Sequence, residues 1–177
     1  QLFELFHGGQ TEPTAQWLAQ ADAFLAGLQG QEISVRMELR SHQELLGAFG
    51  AFAAEGPDGQ AVIYLNRDWL GTAPDAAAVT RVLVEELGHA IDSALNGPSD
   101  TRGDEGEAFA VAVLHLNVSD SERTRIASEN DTRTLLLDGR SVAVETAAIT
   151  FSAVYQGTPT SLSEEAQSLD NIQVLVG

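Results

Sequence analysis

Four ionisable side chains within eight residues give this sequence its chemistry. Glu85, Glu86, His89 and Asp92 stand three or four positions apart, a spacing that projects them from one side of a helix. An imidazole among carboxylates can hold a divalent metal ion, and a carboxylate beside a metal-bound water can drive hydrolysis. A further acid, Glu107, lies at the third position after Asp104, which can cap a second helix. The plainer reading is a helix face turned to water. Glu85 would then pair with Arg81, Glu107 would serve its own helix N-terminus, and Asp92 would either orient His89 or bind solvent.

The elements that must position these groups follow from periodicity. Val79, Val82, Leu83, Leu87, Ala90, Ile91, Ala94 and Leu95 recur at helical spacing, which predicts a core helix over 76–95. Pro74-Asp75 opens it and Asn96-Gly97-Pro98 stops it. Upstream, Trp17, Leu18, Ala21, Phe24 and Leu25 predict a helix over 14–28, and alternation of Ile33, Val35, Met37 and Leu39 predicts a half-buried strand. Ser41 caps a short turn of helix. Strands over 50–54 and 61–66 flank a turn-rich loop, and residues 68–70 read as a connector. Downstream come a short helix over 121–128 and a hairpin, 132–137 with 140–145, about Asp138-Gly139. Alternation predicts further strands over 148–155 and 171–176. The expected division is residues 1–146 and a β-rich extension, 147–177.

Glu85-Glu86-Leu87-Gly88-His89 matches the H-E-x-x-H helix pattern of zinc peptidases, except that Glu85 replaces the first His. The segment EELGHAIDS, followed by DEGEAFA, resembles the gluzincin metallopeptidases, especially their lethal-factor-like group. Residues 50–54 and 61–66 resemble the two strands that precede the active-site helix there, so the likeness covers residues 32–117. It implies a zincin-like α+β fold: a mixed twisted sheet, a long active-site helix and, here, a β-rich C-terminal extension. It also implies Glu86 as general base, Glu85, His89 and Glu107 as metal ligands, and Asp92 behind His89. Ala51, Phe52 and Ala53 would form the edge strand that holds a peptide or protein substrate. The family's metal is zinc; a carboxylate-rich ligand set also admits manganese or calcium. Where the family often carries a second acid, four residues after Glu107, this sequence has Val111. The same block resembles an uncharacterised domain of large secreted bacterial proteins with calcium-binding glycine-rich repeats. That implies a secreted or cell-surface location.

Two carboxylate ligands would neutralise a divalent ion and weaken it as a Lewis acid, so the expected peptidase activity is weak or absent. The alternative is a binding or adhesion module that keeps the scaffold, with the acids holding calcium or nothing. A donor to a developing oxyanion would come from Tyr155 or Arg102. His7 and His42 read as surface loop residues, and His115 as packing or surface.

Composition sets the outer bounds. The 177 residues suffice for one domain with a real core, and 44% hydrophobic content argues against general disorder. With 26 acidic against 9 basic residues, the formal net charge is -17, which disfavours nucleic acid and anionic membrane surfaces. The absence of Cys excludes disulfides and thiolate metal sites. No apolar run reaches the ~18 residues needed to span a bilayer, and no signal-peptide pattern is present. A start at Gln1 is expected of a fragment or a mature product.

Overall fold

A computed structural model describes residues 2–30, 35–97 and 101–147. The elements run α1 (Leu2–Leu5), α2 (Ala15–Gly30), β1 (Arg36–Arg40), β2 (Gly50–Ala53), β3 (Val62–Asn66), α3 (Arg67–Leu70) and α4 (Ala76–Asn96). They continue with α5 (Glu105–Val113), α6 (Asp120–Ile126), β4 (Arg133–Leu137) and β5 (Arg140–Val144). This is a mixed α+β arrangement. The strands predicted over 148–155 and 171–176, and with them Tyr155, lie outside the described residues. The connector over 68–70 is instead part of α3, capped by the Asn66 side chain accepting from the Trp69 N–H.

The main sheet has the order β1-β3-β2, with β1 parallel and β2 antiparallel to β3. Period-2 alternation sends its side chains into two layers. Ala51, Ala53, Val62 and Tyr64 meet Leu135, Leu137, Val142 and Val144 of the β4–β5 hairpin on one face. Phe52, Ile63 and Leu65 meet Val82 of α4 on the other. Both faces of β2 and β3 are therefore buried. A third cluster, Phe6, Trp17, Ala21, Ile91 and Leu95, packs α1 and α2 on the far side of α4.

One expectation for β1 needs correcting. Met37 and Leu39, predicted to face the core, are 60% and 55% exposed. β1 is an edge strand, and α4 lies against β2. The polar side of β1 is the better satisfied one: Arg40 reaches Glu38 at 2.9 Å and Asp138 at 2.7 Å, and lies over the Tyr64 ring.

The predicted site helix is present and terminated as its sequence dictates. Asp75 caps α4 by accepting from the Ala78 N–H at 2.7 Å, and Gly97 ends it with φ of 58°. α5 follows with Asp104 as its cap. These two helices can touch closely because both carry glycine at the contact. A Cβ on Gly88 would lie 2.7 Å from the Gly106 Cα, and one on Gly106 would lie 2.4 Å from His89 Nε2. Gly106→Ala should therefore lower stability by about 1–3 kcal/mol, as overpacking does, despite alanine's better helix propensity. Urea unfolding checks this; a variant as stable as the parent would show that the helices can separate at no cost.

Candidate metal centre

α4 and α5 bring the sequence motif into the protein interior. His89 has no exposed surface, and Glu85, Glu86, Asp104, Glu105 and Glu107 are all at most 4% exposed. The reading of these residues as a solvated helix face is thus overturned. The apolar stripe of α4 packs against the sheet and α2, and the ionisable stripe packs against α5.

The surroundings of His89 define the centre. Its Nδ1 lies 2.7 Å from Glu105 Oε1 and 3.3 Å from Glu145 Oε2. A carboxylate accepts, so Nδ1 carries the hydrogen and donates it to Glu105. On the other side of the ring, Nε2 is 3.2 Å from Asp131 Oδ2 and 4.0 Å from Asp104 Oδ1. Nε2 and Asp131 Oδ2 face each other without hydrogen-bond alignment, and both are buried with no hydrogen-bond partner among the described residues. Ligand atoms of His89, Asp104 and Asp131 lie within 4.8 Å of one another, as do those of His89, Glu105 and Glu145. Buried His89 with these acids could hold a metal ion. The Nε2 side fits one best: Nε2 and two carboxylates converge there, while Glu105 fixes the ring from behind, as carboxylates commonly do for metal-bound histidines.

The residues expected from the sequence are placed differently with respect to this centre. His89 is at the centre. Glu107 is close by on α5, but Arg81 Nη2 donates to its Oε1 at 2.6 Å and Arg125 Nη2 to its Oε2 at 2.7 Å. Its carboxylate is thus already neutralised by two guanidiniums. Glu85 is buried, and the charges of Asp104, Glu86 and Glu107 act on it. Glu86 lies under residues 145–147, and its Oε1 accepts from the Ala147 N–H at 3.1 Å. Asp92 turns elsewhere. It accepts from Asn96 Nδ2 at 2.8 Å and from the Thr101 hydroxyl, so it ties down the α4–α5 connection, and Glu105 does the orienting expected of Asp92. Ala51, Phe52 and Ala53 do lie on an outer strand, β2. Its free edge is met by the chain itself, with reciprocal Phe52–Glu145 backbone bonds of 2.9 and 3.0 Å. Arg102, the other proposed oxyanion donor, is exposed.

Sequence reasoning assigned no site role to Asp104, Glu105, Asp131 or Glu145. Asp104 and Glu105 had a signal, since they adjoin Glu107. Asp131 and Glu145 had only an indirect one. They flank the hairpin, whose register pairs Arg133 with Val144 and so sets residues 131–132 beside 145–146.

Crowding acids in a dry space moves their proton affinities upward. Burial, then the neighbouring Asp104, Glu86 and Glu107, raises Glu85 well above the carboxylate range. Burial raises Glu86 to about 8, against the pull of His89 and the Ala147 N–H, and raises Asp104 to about 7. Asp131 is also raised by burial. For His89, burial pushes down, but the bond to Glu105 and the charges of Glu86, Glu105 and Asp131 win and raise it. A proton on Nε2 thus competes with a metal for that nitrogen, and metal binding would release it.

Comparison with family models, with curated proteins and with solved structures returns no match. Among the described residues, no helix is long and apolar enough to cross a membrane.

Glu86 supplies a pH test. Its folded value of about 8 exceeds the ordinary 4.5, so the unfolded chain ionises it first and its burial costs stability as pH rises through that window. Below about 4.5 both states hold the proton and the cost vanishes. Glu86→Gln keeps the acceptor for Ala147 and removes the charge. In chelated protein, its stability advantage over the parent should grow from pH 5 to 8 and then level off, as followed by urea unfolding at each pH. An advantage that shrinks over this range would contradict the burial of an ionisable Glu86.

Proposed function

We propose that this chain is a divalent-metal-binding domain of peptidase-like layout, from a secreted or cell-surface protein, with weak or absent peptide hydrolysis. His89 Nε2, Asp104 and Asp131 hold the ion and Glu105 holds the ring. The observation that carries this reading is the pair of buried atoms His89 Nε2 and Asp131 Oδ2, 3.2 Å apart, not aligned for a hydrogen bond and without another partner among the described residues. Buried polar atoms are costly when unsatisfied, and a cation satisfies both. A set of one nitrogen and several oxygens suits Zn²⁺ or Mn²⁺; Ca²⁺, which prefers six to eight oxygens, fits less well.

The peptidase part rests on the resemblance of EELGHAIDS and DEGEAFA and on the position of Glu86 one turn before His89. Two features weigh against efficient turnover. Carboxylate ligands neutralise the ion and lower its power to acidify water. Glu86 has no exposed surface and already binds the Ala147 amide. The same contact favours the second reading, a binding module without catalysis.

Chelated protein titrated with Zn²⁺, Mn²⁺ and Ca²⁺ separately should take up about one equivalent of Zn²⁺ or Mn²⁺ with proton release. His89→Ala should abolish that uptake, and an unfolded protein substrate should be cleaved at trace rates at most. Uptake unchanged in His89→Ala removes the metal centre. Robust cleavage that disappears in Glu86→Gln contradicts the weak-hydrolysis part alone.

A further inference from the structure

Both feet of the β4–β5 hairpin end at His89. We infer that a cation there clasps these feet to the helix pair, and so fixes the segment of residues 145–147 over β2 and Glu86. This rests on the metal-binding reading above and adds to it a structural task for the ion.

Asp131 precedes β4 and Glu145 follows β5. Their carboxylates meet opposite nitrogens of the same imidazole, at 3.2 Å on Nε2 and 3.3 Å on Nδ1. The feet are also joined to each other, since the Thr146 hydroxyl donates to the Asp131 carbonyl at 3.2 Å. Fixing Asp131 therefore fixes the segment that holds Glu145.

The body of the hairpin is held by other means. Leu135, Leu137, Val142 and Val144 lie in the apolar layer against the sheet, and Arg40 grips Asp138 at the tip. The feet have less. Apart from Ala147, their buried residues are polar, and a cavity of about 170 Å³ between them and α4 is lined by Phe52, Ala143 and Val144 as well as Asp92, Thr132 and Glu145. They also carry two carboxylates into a space that already holds Glu85, Glu86, Asp104 and Glu105, and buried like charges repel. A divalent ion on Nε2 turns that repulsion into attraction for Asp131, while its field also favours the Glu145 charge.

The consequence reaches the sheet edge. Residues 145–147 cover the outer side of β2 through the reciprocal Phe52–Glu145 bonds and the Phe49 N–H donated to the Ala147 carbonyl at 3.2 Å. The Ala147 N–H caps Glu86. An open strand edge is an adhesive surface, so metal occupancy stabilises the concealment of this edge.

Hydrogen exchange on the full chain, chelated and then with Zn²⁺ or Mn²⁺ at ~100 times its Kd, tests this. Exchange at residues 49–53, 128–132 and 143–147 should slow by up to about 100-fold, the factor by which such a ligand suppresses an opening that releases it. Residues 135–142 should not change. Asp131→Asn and Glu145→Gln should each weaken metal binding at least ~10-fold and lose the protection; Asp138→Asn at the tip should do neither. Metal uptake with unchanged exchange at the feet overturns the clasp and leaves the metal centre standing, whereas affinity unaltered in both foot variants overturns the clasp and removes Asp131 from the ligands. No uptake of either metal removes the centre and the clasp together. The comparison of chelated with metal-loaded parent needs no variant, so a foot variant that fails to fold leaves the test intact.

Discussion

The structure depends on an imidazole buried between two helices that touch glycine to glycine. Gly88 and Gly106 let α4 and α5 approach closely enough that the His89 ring lies directly over the α5 backbone. With that approach fixed, the N-terminal turn of α5 delivers Asp104, Glu105 and Glu107 to the ionisable stripe of α4. The rest of the fold closes around it. The sheet and α2 cover the apolar sides of α4, and the hairpin returns two further acids from 42 to 56 residues along the chain, as Asp131 and Glu145 stand relative to His89.

The buried acids fall into two electrostatic groups. At one end, Arg81 and Arg125 grip both oxygens of Glu107, and Arg125 also meets Glu129. Paired charges of this kind are compensated, and removing a partner would be expensive. At the other end, Glu85, Glu86, Asp104 and Asp131 share the neighbourhood of His89 with no arginine paired to them among the described residues, and each is displaced toward its protonated form by burial. A fold that concentrates acids in this way, with no hydrogen-bond partner for Nε2 among the described residues, could hold a cation. A core whose polar groups were complete in themselves would have no such need.

Much of the scaffold was legible because it is set locally. The α4 periodicity, its Asp75 cap and Gly97 stop, and the Asp138-Gly139 turn with φ of 52° and 76° each depend on residues a few positions apart. The inward face of β1 was misjudged because alternation marks two faces without saying what covers either; Met37 and Leu39 are exposed. The site was half legible. Glu85, Glu86 and His89 share one helix, so spacing alone groups them. Glu105 was passed over for Asp92 because sequence distance favoured the same-helix neighbour, whereas the α4–α5 contact favours the facing one. Asp131 and Glu145 were beyond reach of any local pattern, since the return of the hairpin is a tertiary event. The two arginines on Glu107 were hidden for the same reason.

The most direct measurement is anomalous diffraction from crystals of the full chain loaded with Zn²⁺ or Mn²⁺. The account predicts one strong site about 2.0–2.2 Å from His89 Nε2, with Asp104 and Asp131 oxygens in its coordination sphere and Glu105 still bonded to Nδ1. An ion bound by Glu85 and Glu107 in place of Asp104 and Asp131, or no ion at His89 at all, would contradict it.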